Sequence, residues 1–289
     1  MAGTLYIVAT PIGNLEDMTF RAVRILQEVD LIAAEDTRHS RKLLSHFGIT
    51  TALTSYYDHN QSLKGERILE TLRDGRQVAL ISDAGTPCIS DPGYQLVRDA
   101  LAEGIKVVPV PGACAAITAL SVAGLPTDSF TFAGFPPNKE GKRRSFLASL
   151  AAAHGTLVLY EAPHRLTETL SDIADIMGDR QVVVTRELTK LYEECLRGTA
   201  REVREQAREG RERGEMVILI APADETTHAL AGPSPEEQLQ AALAKGHTVK
   251  ETAALVAAAT GLPRRELYAQ ALLLRNKTEN SFNAEEEER

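Results

Sequence analysis

The residues able to do chemistry lie in short polar runs, each standing directly after an apolar one. The longest is Ile81-Ser82-Asp83-Ala84-Gly85-Thr86-Pro87-Cys88-Ile89-Ser90-Asp91-Pro92-Gly93, in which two acids, two prolines and two glycines share thirteen positions. It follows Val78–Ile81, an apolar run that reads as a buried strand, and it repeats Ser-Asp after eight residues. An ordered loop of this length is usually functional, and open α/β sheets bind ligands at the carboxyl ends of their strands. An elaborate surface turn is the plainer alternative. Three further apolar runs end in the same way, in Glu35-Asp36-Thr37-Arg38, in Glu161-Ala162-Pro163-His164-Arg165 and in Thr185-Arg186-Glu187-Leu188-Thr189-Lys190. A carboxylate pair beside an arginine suits substrate contact. A helix N-cap by Asp36 or Thr37 is compatible with that role, and salt bridges among these charges are the competing reading.

The elements that position these runs alternate. Strands are expected at Leu5–Ala9, Leu31–Ala34, Leu53–Tyr57, Val78–Ile81 and Val107–Val110, with helices after Thr19, over Arg41–Phe47, over Ser62–Arg73 and from Gly93 to Glu103. That alternation predicts parallel pairing with right-handed crossovers. Pro111-Gly112-Ala113-Cys114-Ala115-Ala116 then opens a helix of small residues, whose free N–H groups and lack of bulk let a ligand approach the backbone. Close helix packing would select the same residues. Strands at Ser129–Gly134, Thr156–Tyr160, Gln181–Val184 and Met216–Ala221 follow, with helices over Arg144–Ala153, Thr167–Met177 and Val203–Gly210. The expected domains are 1–111 and 112–222, both α/β, then a Thr/Gly/Pro-rich linker over 223–235. A helical unit over 236–278 resembles a helix-turn-helix, with Pro263 opening its third helix toward Arg275, and three-helix packing without nucleic acid is the alternative. The acidic tail 279–289 is expected to be disordered.

Composition narrows the class. The chain has 289 residues, 43% hydrophobic, and no apolar run long enough to cross a membrane, so a soluble protein is expected. Its start enters a strand without a basic leader, which points to the cytoplasm. Cys88, Cys114 and Cys195 form no Cys-x-x-Cys pair, and the seven histidines lack metal-ligand spacing, so neither disulfides nor a metal are expected. A formal net charge of -8 argues against whole-surface binding of nucleic acid. It leaves room for a local basic patch, of which Lys139, Lys142, Arg143 and Arg144 are the candidate, a solvated helix start being the alternative.

Taken together, Ala9-Thr10-Pro11-Ile12-Gly13-Asn14-Leu15, Ala34–Arg38, Ser82–Pro87, Ser90–Gly93, Pro111-Gly112, Tyr160–Arg165 and Arg186–Lys190 resemble the tetrapyrrole methylase superfamily, the class III S-adenosylmethionine methyltransferases. The branch they look most like is the ribosomal RNA small subunit methyltransferase I branch, which 2′-O-methylates a cytidine of 16S rRNA in the decoding region. The resemblance spans Met1 to about Pro222. It implies two α/β domains with S-adenosylmethionine in the cleft between them, a homodimer, and rRNA of the small ribosomal subunit as partner. The tetrapyrrole members carry a glycine-richer first motif than Ala9-Thr10-Pro11-Ile12-Gly13, a departure that favours the RNA branch. By the family pattern the cofactor contacts are Pro11, Asp83, Gly85, Thr86, Cys114, Ala115, Glu161 and Pro222, with Cys114 acting through its backbone.

For such a transfer the protein must chiefly hold the acceptor oxygen near the donor and exclude water. A carboxylate can take the hydroxyl proton as the bond forms, which makes Asp36 and Glu187 the candidate catalytic groups. Arg38, Arg165 and Lys190, with Lys139 and Arg143 from the basic loop, are the candidate RNA contacts. The rival expectations are a methylase of the same fold acting on a small molecule or a protein, and a noncatalytic RNA-binding relic.

Overall fold

The computed structural model describes residues 2–57, 61–207, 214–223, 235–260 and 262–287. The chain divides into two compact units, Met1–Ala223 and Asp224–Arg289.

The first unit begins with β1 (Thr4–Val8), α1 (Phe20–Glu28), β2 (Leu31–Ala34), α2 (Thr37–His46), β3 (Leu53–Ser55), α3 (Gln61–Arg73), β4 (Val78–Ile81), α4 (Tyr94–Ala102) and β5 (Lys106–Val110). Its strands form one sheet in the order β3-β2-β4-β1-β5, parallel throughout. Ala22, Ile25 and Leu26 of α1 pack on one face against Val8, Ile32 and Ala79. On the other face, Ile68 and Leu72 of α3 with Leu96 and Ala100 of α4 pack against Leu5, Ala33 and Leu80. Cover on both faces explains why β4 is apolar and buried at every position instead of alternating. It also fixes the ligand crevice. The chain leaves β1 toward the face of α1 and leaves the neighbouring β4 toward the face of α4, so the two loops part at their strands' carboxyl ends.

The same unit continues with α5 (Ala115–Ala123), β6 (Phe130–Gly134), α6 (Glu140–Leu150), β7 (Thr156–Glu161), α7 (Leu166–Met177), β8 (Gln181–Arg186), β9 (Glu194–Thr199), α8 (Ala200–Ala207) and β10 (Met216–Ile220). The second sheet runs β6-β7-β10-β8-β9. Only β6 and β7 pair in parallel; β10 is antiparallel to both β7 and β8, and β9 is antiparallel to β8. Leu147 of α6, Leu170 of α7 and Val203 of α8 cover one face. The alanines Ala116, Ala119 and Ala123 of α5 lie close on the other.

Several elements differ from the sequence expectation. β9 was not expected, because an edge strand buries little and Glu194-Cys195-Leu196-Arg197-Gly198-Thr199 has no clean apolar alternation. Helix α2 starts at Thr37, four residues early, because the Asp36 carboxylate accepts the Arg38 N–H at 2.8 Å and caps it. Helix α6 starts at Glu140 and stops at Leu150.

The second unit holds α9 (Pro235–Ala244), α10 (Val249–Thr260) and α11 (Arg264–Glu287). Leu239, Val249, Ala253, Val256, Leu267 and Ala271 form its core. The third helix does not stop near Arg275. Its backbone continues to Glu287, into the tail expected to be disordered. Most of the expected linker, 224–234, and Gly261 of the expected turn lie outside the described residues, as do 208–210 at the end of the helix expected over Val203–Gly210. Among the described residues no helix is long and apolar enough to cross a membrane.

Arg143 is the clearest case of a side chain that the fold has taken. It is 3% exposed, with Nε donating to Asp172 at 2.7 Å and Nη1 lying 3.3 Å from Glu168. It fastens α6 to α7 and has no face for an external phosphate, which corrects its place among the RNA contacts. Breaking a buried pair by removing one partner strands the other charge, so Asp172→Ala should lower the unfolding free energy by about 3–5 kcal/mol in urea titrations. Asp175→Ala removes an exposed partner of Arg144 and should cost under about 1 kcal/mol.

Candidate active site

A cleft of about 430 Å³ opens at the carboxyl ends of β1, β2, β4 and β7 and is lined from both sheets. The loop after β4 forms one wall with Asp83, Gly85, Thr86 and Asp91; Cys114, Ala115, Tyr160 and Thr185 form the opposite one. The expected convergence of the Asp83 loop and the Cys114 turn is therefore present.

Backbone pairing builds the first wall. Thr10 and Gly85 exchange N–H···O bonds of 2.8 and 3.1 Å, which ties the loop after β1 to the loop after β4. Gly85 sits at φ +82°, a conformation that costs other L-residues energy. The Asp83 carboxylate accepts the Asp36 N–H at 3.0 Å and so positions the Glu35-Asp36 turn beside it. Thr86 donates to the Ala113 carbonyl at 3.0 Å, joining this wall to the turn before α5.

Strand alternation builds the second wall. Val158 and Tyr160, Val183, and Val217 and Leu219 face α5, whereas Leu157, Leu159, Val182, Val184 and Ile218 face the opposite way. Thr185, two residues beyond Val183, therefore points to the cleft side. Its hydroxyl is fully buried and lacks a hydrogen-bond partner among the described residues. The Tyr160 hydroxyl accepts the Ala116 N–H at 3.2 Å, and burial pushes this phenol far above its usual range, with the neighbouring Cys114 adding to the shift.

The same alternation turns the Glu161 carboxylate away from the cleft that this residue lines. One residue past Tyr160, its carboxylate turns to the far face, where it accepts from Ala162 N at 2.8 Å and from Thr169 Oγ1 of α7. Its side chain is fully enclosed, so it acts as a positioning group. Arg165 is likewise committed. Its Nε lies 3.4 Å from Glu161, and its two Nη atoms donate to Asn138 Oδ1 and to the Pro136 and Pro137 carbonyls. That removes Arg165 from the phosphate contacts. Pro11 is buried beneath the loop and does not line the cleft. Pro222 is also outside it, because β10 runs antiparallel to β7: the cleft meets the start of β10, at Glu215 and Met216, and not its end.

The remaining candidates surround the mouth. Asp36 is ion-paired with Arg38 at 2.9 Å, and the Arg38 guanidinium and N–H hold its carboxyl down at about 2. Burial works against the charge on Glu187, but the Lys190 ammonium and the Glu215 N–H outweigh it and keep this carboxyl below the usual range. Lys190 bonds Glu187 at 2.9 Å and Glu215 at 3.2 Å, its stem lying across Gly13, where a Cβ would meet Lys190 Cγ at 2.5 Å. Lys139 is exposed beside the cleft rim.

Charge decides what this cleft accepts. Among its described lining residues are four acids besides the outward-turned Glu161, namely Glu35, Asp83, Asp91 and Glu215, and no Lys, Arg or His. Such a site repels polyphosphates and favours a cation with apolar parts, and the orphaned Thr185 hydroxyl offers it a hydrogen bond. The residues present thus fit a sulfonium donor. Residues 4–204 match the family described as Tetrapyrrole (Corrin/Porphyrin) Methylases.

The chain belongs to the tetrapyrrole methylase family. A second match, to the RsmI C-terminal HTH domain, covers residues 231–275 of this methylase. Among its relatives, the ribosomal RNA small subunit methyltransferase I of Halalkalibacterium halodurans is 50% identical over 92% of this chain and 93% of the relative. The protein of the same name from Pseudomonas aeruginosa is 49% identical over 96% and 99%. Solved structures share the fold at lower identity. The cobalt precorrin-4 methyltransferase has a TM-score of 0.57 at 20% identity, covering 75% of this chain and 94% of that one. Diphthine synthase has a TM-score of 0.57 at 13% identity, covering 76% and 90%.

The methylase cleft also uses Tyr160, Thr185 and Phe135, which the sequence reading did not select. Continuing the period-2 pattern of Thr156–Tyr160 and Gln181–Val184 by one step would have put Tyr160 and Thr185 on a common face. Phe135 carried no such signal.

Because the Asp36 carboxyl lies below its ordinary value, its cap and ion pair are intact above about pH 4 and are lost only as pH falls through about 2. The side-chain carboxyl resonance of Asp36 should therefore titrate near pH 2 by NMR, and Arg38→Ala should raise that midpoint.

Proposed function

We propose that this methylase transfers a methyl group from S-adenosylmethionine to rRNA of the small ribosomal subunit, at the ribose 2′-hydroxyl of a cytidine in the decoding region. The observation that carries the reading is the contrast in charge across the site: a cleft lined by acids, with exposed cations placed outside it. The latter are Arg38, Arg41 and Lys42 on α2, which starts beside the cleft-lining Glu35, and Lys139 and Lys142 beyond the cleft-lining Phe135. Phosphates are excluded from the donor site and attracted to its margins. The names of relatives matched over more than nine-tenths of the chain support the same substrate. The family pattern further supports a cytoplasmic homodimer.

When bound, S-adenosylmethionine supplies a methyl group on a positively charged sulfur. Asp83 and Asp91 provide the negative field that favours this charge. Gly85, Thr86, Cys114 and Ala115 would hold the donor along the two walls, with Thr185 as an unused hydrogen-bonding group on the second. Arg38, Lys139 and Lys190 would orient the RNA. Asp36 or Glu187 would take the hydroxyl proton as the bond forms. Both carboxyls are held below their usual range, so each is a weak base, and positioning of the acceptor supplies the larger share of the rate. If Asp36→Asn or Glu187→Gln binds donor and methylates at the wild-type rate, that residue has no part in proton transfer.

A shaped RNA surface is the substrate expected of an acidic protein with local cations. Purified small subunits should be methylated faster than protein-free rRNA, and nuclease mapping should place the product on a ribose of the decoding region. Equal rates on free rRNA would exclude recognition of the assembled subunit, and a methylated base would exclude the ribose acceptor. At the donor site, Thr185→Val should weaken S-adenosylmethionine binding about 2- to 12-fold by calorimetry, the range of one neutral hydrogen bond. Thermal stability of the donor-free protein should not fall, since no partner among the described residues is lost and a buried unpaired hydroxyl is removed.

A further inference from the structure

We propose that Phe135 is the platform on which the target nucleobase stacks, holding the nucleoside so that its ribose faces the donor. The inference rests on the rRNA reading above and names the residue that orients the acceptor.

Phe135 lines the cleft and is 54% exposed, an unusual place for a large apolar ring. The backbone is shaped to put it there. The β6–β7 register slips between Phe132 and Gly134, and Gly134 takes φ +67°. A bulge of this kind bends a strand end and re-aims the next side chain. The chain just beyond is fastened: Arg165 donates to the Pro136 and Pro137 carbonyls at 2.6 and 3.2 Å and to Asn138 Oδ1. Arg165, enclosed and balanced by Glu161, thus fixes the rim and not an external phosphate.

The ring is also supported from behind. Tyr160 meets Phe135 edge-to-face at 5.5 Å and 62°, and Phe132 meets Tyr160 at 4.8 Å and 67°. The Ala116 N–H in turn fixes the Tyr160 hydroxyl at 3.2 Å. A ring braced edge-to-face against Tyr160 and lining the cleft is pre-organised to stack. Unstacked RNA bases are recognised on such aromatic faces with cations close by for the backbone. Lys139 and Lys142, four and seven positions on, are exposed, and no ion pair or hydrogen bond engages either ammonium among the described residues.

The test measures kcat/KM for methylation of purified small subunits, and donor affinity by calorimetry, in the wild type and in Phe135→Ala, Phe135→Leu and Phe135→Trp. Loss of one base-stacking partner corresponds to a decrease of about 5- to 150-fold, expected in both Ala and Leu, while donor affinity stays unchanged. Trp should restore most of the activity, because a larger π-face stacks at least as well. Leu keeps apolar packing against Tyr160, so a Leu variant as active as the wild type would overturn stacking in favour of simple packing. A fall in donor affinity equal to the fall in kcat/KM would assign the ring to the donor instead. Unchanged kcat/KM in all three would remove Phe135 from recognition. If the wild type itself fails to methylate subunits while binding donor, the rRNA reading fails first and the inference falls with it.

Discussion

The site depends on a pair of backbone hydrogen bonds between Thr10 and Gly85. Parallel strands end with their carbonyls and N–H groups open, and the loops that follow must satisfy those groups without filling the crevice between them. Here the loops after β1 and β4 satisfy each other. The Thr10 hydroxyl adds a bond to the Ser82 carbonyl at 3.2 Å, and Thr86 continues the chain of contacts to Ala113 at 3.0 Å. The result is a wall made largely of main chain, rigid because its polar groups are paired and narrow because glycine and alanine contribute little bulk. A side chain at position 85 would meet strain from φ +82°, although its Cβ would make only ordinary contact with Ile12 Cγ2 at 3.4 Å.

The second sheet adds charge discrimination. Antiparallel β10 between β7 and β8 brings the start of one strand level with the ends of two others, so Glu215, Tyr160 and Thr185 share one rim. Most of the arginines that the sequence places near that rim are consumed inside the protein. Arg143 joins α6 to α7 and Arg165 joins β7 to the Pro136–Asn138 loop, whereas Arg38, ion-paired with Asp36, stays exposed outside the cleft. Their removal from the cleft leaves acids facing the cavity and lysines outside it. A net charge of -8 is therefore compatible with an RNA substrate, because field strength is local at physiological salt.

Much of the fold was legible because apolar runs and turn formers are local signals. The Val78–Ile81 strand, the Thr19 cap and the alternation of strands and helices through the first sheet all follow from residues within a few positions of one another. The polar runs at strand ends were legible for the same reason, and Asp83, Gly85, Thr86, Cys114 and Ala115 do share the cleft. The edge strand β9 was not, since its pairing with β8 depends on a partner and not on its own alternation. Nor was the length of α11, whose polar continuation carries no apolar periodicity to mark an end.

What the sequence by itself determined is where chemistry-bearing residues occur along the chain: turns rich in Ser, Asp, Gly and Pro follow strands of Val, Ile, Leu and Ala, and local backbone preferences leave few other conformations for them. The tertiary structure decided which of those residues face the cavity. Tyr160 and Glu161 are neighbours in sequence, yet a strand turns one toward the cleft and the other toward α7. Pro222 was excluded by the direction of β10, and Phe135 was presented by a bulge in β6. Side-chain direction alternates with every residue, whereas strand direction and register are set by partners distant in sequence, so facing and reach emerge only when the sheets assemble.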